Sequence, residues 1–358
     1  MLFAMAQAHH PHGPEVELCA AVEDGQACLD AVRTLHPDLV VLDLEMPRLG
    51  GMEVLRQLHR ERPELPVIMC SAYTARGAAI TLEALASGAA DYVTKPSASC
   101  EPSSLVLMAE QLFHKTIALG RQYRQKLAAA RVELPDVQSA SHRISLEDRK
   151  LAVLGIGVST GGPAALERLL PQLPAEFPLP ILLVQHMPKL FTAALAERLD
   201  ACCALTVREA QWGDVPRPGL VLLAPGDQHM EVIRMPSQTV QVCLHGGVAV
   251  HHTRPAVDPL FYSMARVYGA EALALVMTGM GSDGLSGAQA IADAGGIVLA
   301  QDKASSAVWG MPARVMEAGI AEACSLDDLG RRLSSVSAYP VSQRIHFGAK
   351  GALTCALQ

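Results

Sequence analysis

Apolar and polar positions along the chain fall into two alternating rhythms. Short apolar blocks bounded by turn residues have the length and branching of buried strands. Between them, apolar side chains recur three and four positions apart, as on one face of a helix. Toward the N-terminus the blocks cover residues 15–22, 37–43, 66–71 and 88–95. The helical spacing covers 26–35, through Cys28, Leu29, Val32 and Leu35, then 52–60, about 80–87, and 103–131, where Leu105, Met108, Leu112 and Ile117 share a side. At Leu151 the alternation starts again. Strand blocks follow at 180–185, 272–277 and 296–301, with helices after Pro163 and over 191–199 and 259–268. Residues 204–252 interrupt it with short runs such as 240–244 between turns at Pro225-Gly226-Asp227 and Gly246-Gly247, which predicts a β-rich insertion or sheet edge. Alternating strands and helices build parallel sheets covered by helices, so the expectation is an α/β chain with two parallel-sheet units, the second doubly wound. Ligands of such sheets sit beyond the strand C-termini.

Composition narrows the class. The 358 residues leave room for two or three domains. Half the chain is hydrophobic but only 4% is aromatic, an aliphatic profile that suits parallel sheets. A net charge of −7 without a basic cluster speaks against nucleic acid as a partner and against a transcription-factor output. Nine cysteines without a C-x-x-C pair predict buried, reduced thiols in a cytosolic protein, and the adjacent Cys202-Cys203 are poor disulfide partners. The apolar start, Met1 to Ala6, is too short for a signal segment, and no run reaches membrane-spanning length. A cytoplasmic protein without membrane insertion is expected.

The chemistry of the first unit lies at three strand ends. Asp43 closes the block at 37–43, Ser71 the one at 66–71 and Lys95 the one at 88–95, so the three should converge on one pocket. With their surroundings, Leu42-Asp43-Leu-Glu-Met-Pro47, Ser71-Ala72 and Thr94-Lys95-Pro96, they resemble the response-regulator receiver family. That resemblance implies a flavodoxin-like sheet in which Asp43 accepts a phosphoryl group while Ser71 and Lys95 contact it. It also implies Mg²⁺ held by two acidic residues at the end of a first strand. The chain departs here: its first acid is Glu15, and residues 1–13 could at most be a remnant of the first helix. Their closely spaced histidines read as a frayed terminus rather than a metal site. Asp43 and the Glu45 carbonyl would then be the Mg²⁺ ligands left, an incomplete set. An incorrectly assigned start codon, or a receiver only partly folded and poorly inhibitory, is the expectation.

In the second unit, Gly157-Val-Ser159-Thr-Gly161 matches G-x-S-x-G between a strand and a helix opened by Pro163, the setting of a nucleophile elbow. The competing reading is a phosphate-binding glycine turn, since Gly155-Ile-Gly157 begins a dinucleotide fingerprint; Thr160 stands where its next glycine belongs. His186 follows the block at 180–185, and Asp283 follows the one at 272–277. Serine, base and orienting carboxylate would thus come from three strand ends, although His186 could be structural and Asp283 a helix cap. An α/β-hydrolase order is disfavoured, because only His346 follows Asp283, in a polar tail.

Taken together, Gly157-Val-Ser-Thr-Gly-Gly-Pro163, Val184-Gln-His-Met-Pro188, Arg254-Pro-Ala-Val-Asp258, Thr278-Gly-Met-Gly-Ser-Asp-Gly284 and Gln301-Asp-Lys-Ala-Ser-Ser306 resemble the chemotaxis protein-glutamate methylesterase/glutamine deamidase family. The resemblance implies Ser159 as nucleophile, His186 as base, Asp283 as its orienter and the Met280 backbone amide in the oxyanion hole. It implies no cofactor for catalysis, methylated chemoreceptor cytoplasmic domains as substrate, and a chemotaxis-type histidine kinase as partner. In the family, receiver phosphorylation relieves a block on the active site. The expected organisation is a receiver-like domain over 1–131, a linker over 132–147, a catalytic domain over 148–335 and a tail over 336–358. The alternatives are a receiver-coupled binding module without catalysis and a nucleotide-binding α/β protein.

Overall fold

A strand that is apolar at every position has no face to give to water, so it belongs in a sheet covered on both sides. The blocks form parallel sheets twice in the computed structural model, which describes residues 16–96, 102–130, 145–147 and 149–336, although in the first sheet Val41 is left exposed. The first unit runs α1 (Gly25–Leu35), β1 (Val40–Asp43), α2 (Gly51–Glu61), β2 (Val67–Ala72), α3 (Ala75–Ala86), β3 (Asp91–Lys95) and α4 (Pro102–Ala130). Its strands form a parallel sheet in the order β1-β2-β3, with Leu42 beside Met69 and Met69 beside Tyr92. The Asp24 and Thr74 side chains accept the Ala27 and Gly77 amides at 3.0 Å, which fixes where α1 and α3 begin. The Thr74 cap explains why α3 starts well before residue 80.

Residues 16–22 do not form the expected strand. They join no strand and are largely exposed, and Val16 packs beside Ala109 and Phe113 of α4. A strand needs a neighbour for its backbone groups, and among the described residues none lies on the free edge of β1 to provide one. The remaining core closes regardless, with Leu29, Leu42, Leu55, Leu58, Met69 and Leu82 buried together. Leu105 also departs from expectation: it is exposed, while Met108, Leu112, Phe113 and Tyr123 make up the buried side of α4. The segment 1–13, most of the proposed linker and the tail from 337 lie outside the described residues. The cysteines that are described are free, but Cys19 and Cys202 are exposed, so the thiols are not uniformly buried.

The second unit is built from β4 (Val153–Val158), α5 (Gly162–Leu169), β5 (Ile181–Gln185), α6 (Lys189–Cys202), β6 (Thr206–Glu209), β7 (Leu220–Leu223), β8 (His229–Arg234), β9 (Val240–His245), α7 (Val257–Tyr268), β10 (Ala272–Val276), α8 (Leu285–Asp293), β11 (Ile297–Gln301), α9 (Met311–Glu317), β12 (Glu322–Cys324) and α10 (Leu326–Ser334). Seven parallel strands form one sheet in the order β12-β11-β10-β4-β5-β7-β6. The β-rich stretch therefore divides. β6 and β7 extend the sheet edge, while β8 and β9 form an antiparallel hairpin that packs on α7.

The two units touch along an apolar seam. α3 lies against α5 and α6. Tyr92 of β3 and Tyr73 stack on the fully buried Phe191 of α6, with ring centroids 4.7 and 6.3 Å away. Ile68, Cys70, Val93, Met108, Leu112 and Leu119 close over Val308 and Met280. The Gln122 side chain of α4 donates to the Ser306 carbonyl at 2.5 Å and accepts from the Trp309 amide at 3.1 Å. Among the described residues, no helix is long and apolar enough to cross a membrane.

Candidate active site

β10, β4 and β5 are adjacent at the centre of the second sheet, so whatever follows them in the chain meets above it. Ser159 follows β4. Its amide donates to the Thr278 carbonyl at 2.9 Å, and its carbonyl accepts from the Gly162 amide at 2.8 Å and from Gln185 Nε2 at 3.0 Å. Gly161 turns the chain into α5 at φ 75°, a left-handed conformation that glycine adopts without strain. Gly279 lies so close that a Cβ there would fall 2.8 Å from Ser159 Cβ. The serine backbone is therefore held from three sides, as a nucleophile elbow requires.

His186 follows β5, and its amide donates to the Val158 carbonyl at 3.2 Å. Its ring Nε2 lies 2.7 Å from Asp283 Oδ2. An ionised carboxylate only accepts, so Nε2 carries the proton and Nδ1 keeps the lone pair a base needs. Asp283 is 2% exposed and also accepts the Val257 and Asp258 amides, at 2.6 and 3.0 Å, from the first turn of α7. Burial alone would raise its proton affinity. The His186 bond and charge and the two amides outweigh it, and hold the carboxyl below the ordinary aspartate range. Asp283 is not the cap of α8; Gly284 occupies that position at φ 87°. The structure thus joins His186 to Asp283 directly and brings Ser159 beside them through the backbone; no hydrogen bond links the Ser159 hydroxyl to His186 among the described residues. The Met280 amide likewise has no hydrogen-bond partner among them, while its side chain packs into the seam between the units.

In the first unit Lys95 Nζ is bonded to Asp43 Oδ2, and the Glu45 amide donates to Asp43 Oδ1 at 3.2 Å. Ser71 is not part of that pair. It is buried against α3, where its hydroxyl donates to the Gly77 carbonyl at 3.2 Å and accepts from Thr81 at 2.6 Å. Among the described residues no further carboxylate joins Asp43 in a cluster able to hold a cation. The residues present therefore do not fit a complete Mg²⁺ site.

Sequence reasoning passed over several residues that support the site. Thr278 Oγ1 donates to the Thr160 carbonyl at 2.9 Å and accepts the Val308 amide at 3.0 Å, while Gln301 Oε1 takes the Thr278 amide at 2.9 Å. These bonds fasten the loop that carries Met280 and Asp283 to the elbow. Gln301 and Thr278 both stand in motifs quoted above, but their roles have no spacing signature.

Comparison with known proteins agrees with this geometry. A model described as CheB methylesterase matches residues 154–333, and one described as response regulator receiver domain matches residues 7–106. The chain is 41% identical to a protein-glutamate methylesterase/protein-glutamine glutaminase of Trichodesmium erythraeum, over 86% of this chain and 87% of that one. It is 42% identical to protein-glutamate methylesterase/protein-glutamine glutaminase 2 of Caulobacter vibrioides, over 88% and 90%. The crystal structure of the Thermotoga maritima CheB methylesterase catalytic domain is similar as well: 39% identity, 52% of this chain and 99% of that one, with a TM-score of 0.51.

Proposed function

Because the chain belongs to the CheB methylesterase family and carries a receiver domain, hydrolysing glutamyl methyl esters and deamidating glutamines, we propose that Ser159, His186 and Asp283 carry both reactions. The observation that supports this best is the His186–Asp283 bond, formed beside an elbow serine whose backbone is held from three sides. His186 takes the Ser159 proton, and Oγ attacks the ester carbonyl. The oxyanion is met by the Met280 amide, and the tetrahedral adduct expels methanol with a proton returned from His186. Water then enters by the same route and frees the glutamate. A glutamine side chain passes through the same acyl-enzyme with ammonia leaving. No step calls on a cofactor. The test is covalent: a fluorophosphonate should label the full chain once, on the peptide containing Ser159, and block both methanol and ammonia release. Inhibition with label on another residue would remove Ser159 from the mechanism.

The proposed organisation keeps a receiver-like domain to about residue 131 and a catalytic domain over 148–335, acting in the cytoplasm. The substrate would be methylated chemoreceptor cytoplasmic domains, and a chemotaxis-type histidine kinase would supply phosphate to Asp43. The paired Asp43 and Lys95 support the acceptor role, and Ser71 is the switch hydroxyl by resemblance, though it bonds elsewhere here. The seam supports inhibition by contact, since it packs Met280, the neighbour of the Asp283 loop, against the receiver core and stacks Tyr92 on Phe191 of α6. Tyr92→Ala is expected to raise methanol release by the full chain about tenfold without phosphodonor, because its buried ring stacks on Phe191 across the contact between the units. Unchanged or reduced release from the folded variant would count against the contact as the inhibitory element.

A further inference from the structure

Behind the triad carboxylate lies a second acidic group to which the mechanism gives no part. Asp258, in the first turn of α7, has a side chain 5% exposed. Its Oδ1 accepts the Gly287 amide of α8 at 2.7 Å, and its Oδ2 lies 2.9 Å from His251 Nε2. Its own amide is one of the two that hold Asp283. One ligand atom each of His251, Asp258 and Asp283 lies within 4.8 Å of the others. Every carboxylate oxygen in this group already accepts a hydrogen bond, so the arrangement is a bonded network running His186–Asp283–Asp258–His251 rather than an open cation site.

The backbone is bent to make it. Val250 and Thr253 bond each other in both directions, at 3.1 and 2.9 Å, across a two-residue turn in which His251 and His252 have φ values of 49° and 62°. Two left-handed residues in succession call for Asn-Gly, and a histidine pair is an expensive substitute. What the turn obtains is an imidazole aimed at Asp258. Burial pushes the Asp258 carboxyl up, with Asp283 adding to the rise; the Gly287 amide and His251 hold it down.

We infer that Asp258 is a positioning residue for the triad, clamping the Asp283 loop between α7 and α8 and supporting the imidazolium formed on His186, with His251 balancing its charge. This rests on the triad reading above. When His186 takes the serine proton, a second negative charge beyond Asp283 favours the cation, and a protonated His251 partly offsets that field. His229, which interacts electrostatically with His245, Arg254 and Asp283, also faces the network. His229 accepts the Ala256 amide at Nδ1 and donates through Nε2 to the Val248 carbonyl, so its ring is fixed as neutral and leaves the balance to His251.

The test is the pH profile of methanol release by the full chain from methylated receptor. Asp258→Asn keeps an oxygen for Gly287 and a polar contact to His251 but loses the charge. Its kcat should fall about tenfold with KM within about twofold, and the acidic limb should move down by about one pH unit. His251→Gln, in the half-exposed turn, should move that limb the other way by about half a unit, and it carries the test if Asp258→Asn fails to fold. A merely structural role would lower stability without shifts of opposite sign. Limbs that stay put, or move together, in folded variants overturn the inference. Ser159→Ala is run alongside: if it retains activity the triad reading itself has failed, whereas inactivity with unmoved limbs sinks the role of Asp258 alone.

Discussion

Ser159→Ala is expected to lower both methanol and ammonia release by roughly five to six orders of magnitude while leaving the fold intact. The two halves of this result have separate causes. Activity is lost because no other group can form the acyl-enzyme. The residual rate comes from binding and the oxyanion donors acting on water. The fold persists because the Ser159 hydroxyl has no hydrogen-bond partner among the described residues, so alanine orphans nothing, while the backbone bonds to Thr278 and Gly162 remain. Stability should change by no more than about 0.5 kcal/mol. The check is methanol release paired with thermal unfolding. Activity within a hundredfold of wild type from a variant with an unchanged midpoint would require another nucleophile.

Asp283→Asn should cost about three to four orders of magnitude in kcat with little change in KM. An amide nitrogen facing His186 would donate to Nε2 and drive the ring proton onto Nδ1, the atom that must accept from serine. Unlike the serine variant, this one should also be less stable. One amide oxygen replaces two carboxylate oxygens, so one of the Val257 and Asp258 amides loses its acceptor, at about 1–3 kcal/mol. Its acid unfolding should change as well. The Asp283 carboxyl is held below its unfolded value, so its stabilising contribution is complete above that value and is lost as pH falls through the folded one. The asparagine chain should show a shallower loss of stability below about pH 4. Combined with Ser159→Ala, the substitution should add almost nothing to the kinetic defect, since the residues act as a unit. Multiplicative losses in the double variant would argue for independent roles.

The meeting place of the three proposed catalytic residues was legible because its signal is topological. A polar residue after each of three apolar blocks becomes a cluster once those blocks are neighbouring parallel strands, and Ser159, His186 and Asp283 follow β4, β5 and β10. Residues 16–22 were misread for the same reason in reverse: their apolar content suits a strand, but a strand exists only beside a partner, and pattern carries no record of the partner. Ser71 shows a further limit. Its place at a strand end was visible, but its direction depended on Thr81 offering a closer bond. The Asp258–His251 pair was hidden because His251-His252 carries none of the Asn-Gly chemistry that announces such a turn. Phe191 read only as the start of a helix, and the docked β3 reveals that Tyr92 stacks on it.

The grip of Gln122 on the loop at 306–309 also gives the chain a built-in optical reporter. It has two tryptophans. Trp212 is 65% exposed, so its emission is that of an indole in water whatever the receiver does. Trp309 is half-buried, its amide is bonded to Gln122, its ring nitrogen is enclosed without a hydrogen-bond partner among the described residues, and the Lys303 ammonium sits 5.8 Å from its ring centroid. Withdrawal of α4 would wet that ring and shift its fluorescence to longer wavelength against a constant background. Receiver release can therefore be timed in the unmodified protein, separately from the chemistry it governs.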